Sequence, residues 1–94
     1  MSSRTLTLHW FARSDDAEDG VRLGLAIPRA VGSAVTRNRL KRQLRETWSE
    51  LVAEVPAGRD YVLVARPGLA EAASSRDHAW LVEQVREVIG KVPA

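Results

Sequence analysis

Seven side chains between Arg29 and Arg45 carry the densest chemistry in this sequence. Arg29, Arg37, Arg39, Lys41, Arg42 and Arg45 are six cations with no acid among them, and Asn38 sits inside the run. The first acid after them is Glu46. Outside this block the chain holds eight positive against twelve negative residues, so the excess charge is concentrated in one place. Guanidinium groups present planar forks that match phosphate oxygens and stay charged at physiological pH. A basic block on an otherwise acidic chain is the footprint of a polyanion-binding face. The competing reading is a solvated charged surface. Such surfaces usually mix signs at i,i+4 spacing, and this one does not.

Other chemistries find less support. Asn38 can offer a donor and an acceptor to a ribose or base edge, or a carbonyl to a metal-bound water. It can equally make a local backbone bond near a helix start. His9 and His78 are the only histidines, and an acid–base pair would need both in one cleft. His9 falls in a strand pattern and His78 in the first turn of a helix pattern. Metal-ligand spacing is absent. Asp15, Asp16, Glu18 and Asp19 crowd one segment without the Gly-centred order of a calcium loop. Gly32 stands alone, so there is no Gly-rich phosphate loop.

The global bounds are permissive. Ninety-four residues predict one domain, 1–94, with a modest core. An apolar content of 45% argues against disorder. There is no cysteine, hence no disulfide or thiolate metal site. The opening residues lack the apolar core of a signal peptide, and no apolar run approaches a bilayer span. The expectation is a cytoplasmic protein without membrane partners or a small-molecule substrate.

The elements that must position the cations follow from periodicity. Residues 5 to 12 alternate, with Leu6, Leu8 and Trp10 on one face. Residues 13 to 20 read as a polar loop. Residues 21 to 27 alternate again, placing Val21, Leu23, Leu25 and Ile27 opposite Arg22, Gly24 and Ala26. The polar connector suggests that these two strands pair antiparallel. The small residues at 24 and 26 would let a nucleic acid strand approach, or a helix pack tightly; helix packing is the plainer expectation.

From about Ala34 to Val55 the period becomes 3.6. Leu40, Leu44, Thr47, Leu51 and Val55 form a stripe, with Trp48 at its edge. Asn38, Arg42 and Arg45 lie opposite, flanked by Lys41 and Arg39. Gly32 and Ser33 supply the preceding turn and cap, and Pro56-Ala57-Gly58 the stop. Residues 60 to 66 read as a third strand, parallel to the second if the helix is a crossover. Ser74 or Ser75 is expected to cap a last helix through a Ser74-x-x-Asp77 box, with Leu81, Val85, Val88 and Ile89 buried.

The string from Arg22 to Glu46 resembles the signature of the bacterial ribonuclease P protein subunit. That signature reads R-x-G, a strand, then S-K-K-x-G-x-A-V-x-R-N-R-x-K-R-x-x-R. Gly24, Gly32, Ala34, Val35, Arg37, Asn38, Arg39, Lys41, Arg42 and Arg45 match it. Tyr61 to Pro67 resembles the strand that follows in the family. Pro28-Arg29-Ala30 replaces Ser-Lys-Lys, and Gly32-Ser33 replaces Gly-Asn.

The resemblance implies an α+β fold. It is a two-layer α/β sandwich of the ribosomal protein S5 domain 2-like type with a left-handed β-α-β crossover. Chain physics alone favours a right-handed one. The family's first helix and first strand have no counterpart before residue 5, so an N-terminally shortened form is expected. The resemblance also implies binding of a catalytic RNA through Arg29, Arg37, Asn38, Arg39, Lys41, Arg42 and Arg45. Precursor tRNA would be met through its 5′ leader, for which Thr7, His9, Phe11 and Arg22 are the candidates. No catalytic residue is expected in the chain and no cofactor of its own; magnesium would come with the RNA. The alternatives are an RNA-binding module of this fold that no longer supports cleavage, and a self-contained nuclease, which the lack of an acid–base or metal set disfavours.

Overall fold

The structure, a computed structural model, describes residues 2–12 and 22–93. The acidic segment at 15–19 and Val21 lie outside the described residues. Three strands, β1 (Leu6–Ala12), β2 (Arg22–Ala26) and β3 (Arg59–Ala65), form one sheet in the order β1-β3-β2. Three helices, α1 (Ala34–Leu51), α2 (Leu69–Ser74) and α3 (His78–Ile89), accompany them. The architecture is α+β, with the core between one face of the sheet and the helices.

The strand order corrects one expectation. β1 and β2 do not pair with each other; β3 lies between them, antiparallel to β1 and parallel to β2. The reason lies in composition. β1 and β2 alternate and so have one apolar face each, whereas Tyr61-Val62-Leu63-Val64-Ala65 is apolar on both. Such a strand is costly at an edge and favourable at the centre. The parallel β2–β3 pair requires a crossover, and α1 supplies it.

Alternation then sorts the sheet into two faces. Leu6, Leu8, Tyr61, Leu63 and Ala65 are buried toward the helices, with Trp10, Leu23, Leu25 and Ile27 packed beside them. α1 contributes Leu40, Leu44, Thr47, Trp48 and Leu51, and α3 contributes Leu81, Val85, Val88 and Ile89. Each such large apolar side chain gains about 1.5–3 kcal/mol on full burial. Thr47 is the one polar member of the core among the described residues, and its Oγ1 donates to the Gln43 carbonyl at 2.8 Å.

The helix ends refine the sequence reading. Ser33 caps α1, accepting from the Thr36 amide at 3.3 Å. α1 ends at Leu51, and a 3₁₀ turn at Val52–Glu54 carries the chain to buried Val55. The last helix is not capped by Ser74 or Ser75. The intervening α2 takes up Ser74, whose hydroxyl donates back to the Glu71 carbonyl. Asp77 is the cap of α3, accepting from the Trp80 amide at 3.0 Å. Leu69 explains the extra helix: it is fully buried, and a helical turn after Gly68 puts it there.

Trp48 and Tyr61 tie α1 to β3, with ring centroids 5.4 Å apart and planes at 53°. The Tyr61 hydroxyl donates to the Pro56 carbonyl at 2.8 Å. Burial pushes its phenol above the ordinary value of 10.0, against a smaller lowering by Arg59. The folded state therefore holds this proton more tightly than the unfolded chain. That contribution is complete below about pH 10 and is lost as pH rises through the folded value. We expect the melting temperature to fall more steeply above pH 10 in the parent than in Tyr61→Phe, which loses the hydroxyl but also the titration. Parallel alkaline melting curves would refute this.

Candidate nucleic-acid interface

The described residues present two surfaces. The first is the outer side of α1. With Leu40, Leu44 and Leu51 anchored in the core, the helix is fixed in rotation, and Asn38, Arg39, Lys41, Arg42 and Arg45 are exposed. Arg29 is exposed on the preceding 3₁₀ turn. Among the described residues, none of the cations on α1 has an ion-pair partner.

The seven candidates are not one uniform face. Arg37, Lys41 and Arg45 recur every fourth residue on the flank that carries Trp48. Arg37 is half-buried, and its Nε donates to the Gly32 carbonyl at 3.2 Å, bracing the turn that starts the helix. A Cβ at Gly32 would meet the Thr36 side chain at 3.0 Å, so that side chain would have to give way by a few tenths of an ångström. Arg39 points away from that flank and lines a groove shared with α2. Asn38 and Arg42 occupy the outermost side.

The charge order of α1 opposes ordinary helix design. Acids favour the first turn and bases the last, through the backbone dipole. α1 has no acid in its first turn and no base in its last. Four of its five cations sit in the N-terminal half, and Arg37, closing the first turn, adds to the positive end of the dipole. The acids that follow serve the fold. Glu50 meets His78 of α3 at 3.0 Å, and Glu54 meets Arg86 at 3.4 Å. His78 thus belongs to the helical layer, while His9 is exposed on β1. They do not share a cleft. Among the described residues no three His, Asp or Glu side chains gather where they could hold a metal ion.

The second surface is the face of the sheet turned away from the helices. The register aligns Phe11 with Asp60 and Arg22, His9 with Val62 and Gly24, and Thr7 with Val64 and Ala26. The four residues expected to meet a leader therefore stand on one face. His9, Phe11, Arg22 and Gly24 are exposed, Phe11 at 57%. The plainer expectation, that a helix packs on Gly24, is wrong. A Cβ at Gly24 would meet only Val62 and the Tyr61 carbonyl, at 3.6 and 3.9 Å. Both long helices are committed to the leucine-rich face. Val62, Val64 and Asp60 complete this surface and were missed; the two-faced apolar run of β3 was the available signal.

Comparison with known proteins decides the family. The ribonuclease P family model matches residues 1–92. The chain belongs to the ribonuclease P protein family. It is 46% identical over 81 residues to the ribonuclease P protein component of Rhodococcus opacus, covering 82% of this chain and 64% of that one. It is 48% identical over 73 residues to that of Nocardia farcinica, covering 78% and 44%. The chain thus spans about half to two thirds of the length of these relatives. The fold is similar to the RNase P protein from Thermotoga maritima, with a TM-score of 0.86 at 24% identity over 100% of this chain and 83% of that one. No helix among the described residues is long and apolar enough to cross a membrane.

The unequal burial of the arginines in this ribonuclease P family chain predicts unequal stability effects. Arg37→Ala should lower stability by about 0.5–1.5 kcal/mol through loss of the bond to Gly32. Arg42→Ala and Arg45→Ala should stay within about 0.5 kcal/mol of the parent. Denaturant melts followed by circular dichroism would check this; equal losses in all three would remove the structural role of Arg37.

Proposed function

We propose that this chain is the protein subunit of a ribonuclease P and acts in two places at once. Its α1 cations hold the catalytic RNA, and the open sheet face receives the 5′ leader of precursor tRNA. Together these contacts support endonucleolytic maturation of the tRNA 5′ end. The observation that carries the reading is the row of exposed α1 cations without ion-pair partners among the described residues, held outward by a leucine stripe that cannot rotate. Arginine forks match phosphate pairs, and their spacing along a helix suits a folded RNA backbone. On the sheet, Phe11 and His9 offer rings to an unstacked base, and Gly24 and Ala26 let a strand lie close.

In this reading the chain contributes no group to bond breaking. Hydrolysis and its magnesium ions belong to the RNA, and the cytoplasm is where both RNAs are met. The protein positions the leader and neutralises phosphate charge, which lowers the ordering cost of the complex.

Binding to the catalytic RNA should weaken steeply with salt. If about four phosphates are neutralised, log K should fall against log[salt] with a slope of roughly −3 to −4. Arg42→Ala or Arg45→Ala should each cost about tenfold to a hundredfold in affinity, as one charged hydrogen bond is worth about 1.5–3 kcal/mol. Filter binding at low salt checks both. A flat salt response, or unchanged affinity in both variants, would remove this helix from the interface.

The sheet is tested separately. Phe11→Ala should reduce affinity for leader-bearing precursor tRNA by about 1–3 kcal/mol, the worth of one base stack, and leave mature tRNA unaffected. Equal loss for both substrates would place the leader elsewhere. Cleavage of precursor tRNA by the purified protein free of RNA would overturn the division of labour.

A further inference from the structure

A groove of about 550 Å³ opens between α1 and α2, away from the sheet face. It exists because α2 turns alanines toward α1. Val31, Leu40, Ala70 and Ala73 give it an apolar floor. Its size falls within the range of small-ligand clefts, about 300–1,000 Å³.

The polar lining narrows the ligand. Arg39 reaches the groove from α1, and Arg76 from the segment between α2 and α3. Neither has an ion-pair partner among the described residues. The Arg76 guanidinium lies 5.9 Å from the centre of the Trp80 ring, a contact that steadies it without neutralising it. Two arginines from separate elements thus line one cleft, within reach of a phosphate held there. Glu71 and Gln43 also line it. The Glu71 carboxylate would repel a bare anion, but it would accept from an amino group or a hydroxyl. A ligand that fits all of this has a phosphate, a flat apolar body and donor hydrogens on its edge.

We infer that this groove holds one unstacked nucleotide. Its phosphate lies between Arg39 and Arg76, its base rests on the Val31–Leu40–Ala70–Ala73 floor, and its donor edge meets Glu71 and Gln43. The inference deepens the RNA-binding reading and rests on it only for the source of the nucleotide. That source is either a looped-out residue of an RNA strand or a free mononucleotide.

The experiment is a ¹H–¹⁵N titration of the full chain with AMP and, separately, with single-stranded pentaadenylate. Saturable amide shifts at Gly32, Gln43, Ala70 and Ala73 are expected. Tighter binding of the strand, by tenfold or more, assigns the site to RNA; equal affinity assigns it to a free nucleotide, and either supports the groove. Arg76→Ala alters only an exposed side chain and should weaken binding about tenfold or more. Ala73→Leu fills the cleft without changing charge and should abolish the shifts. Absence of saturable groove shifts with both probes overturns the inference, as does unchanged affinity in Arg76→Ala or in a folded Ala73→Leu. Arg42→Ala, on the outermost side of α1, should leave the groove shifts produced by AMP in place. The helix interface can therefore stand or fall, by its own affinity for the catalytic RNA, independently of this result.

Discussion

Burial of the Leu40–Leu44–Thr47–Leu51 stripe in the core shared with α3 and the sheet holds the rest of this molecule in place. Those residues are almost fully excluded from solvent, and Trp48 locks against Tyr61 beside them. A helix seated this way cannot turn about its axis without exposing several leucines, each worth about 1.5–3 kcal/mol. Arg39, Lys41, Arg42 and Arg45, off that stripe, are therefore held toward solvent. Their mutual repulsion is offset by the burial of the stripe beneath them.

The same helix divides its charges by purpose. Its N-terminal half concentrates cations and its last turn has none, the opposite of what helix stability asks. Its C-terminal half carries Glu50, and Glu54 follows in the next turn; both reach across to α3. One end presents cations to solvent and the other end fastens the helical layer.

The sheet works by a similar economy. β3 is apolar on both sides and takes the centre, so β1 and β2 become its neighbours and each lends one face to the core. Strict alternation sends Thr7, His9 and Phe11 to the face that the helices leave open, beside Arg22 and Gly24. That face is stiff, because its other side is packed. A stiff, partly aromatic surface next to small residues can take up a flexible strand with little reorganisation.

Much of this was legible in the residues alone. The 3.6 period fixed which side of α1 is buried, the 2.0 period which side of each strand, and the family signature from Arg22 to Arg45 the kinship. These signals are local, since each depends on neighbours within a turn or a pleat. What the sequence could not order was the assembly. Whether β1 pairs with β2 or with β3 depends on which strand is apolar on both sides and gains most from two neighbours, a competition among segments some fifty residues apart. The cover expected over Gly24 failed for a related reason: both helices were claimed by the leucine-rich face. The helix α2 and the Asp77 cap were invisible because Leu69 needs a buried berth that only the packed helices create. Arg76 came to share a groove with Arg39 in the same way, through packing that no local pattern records.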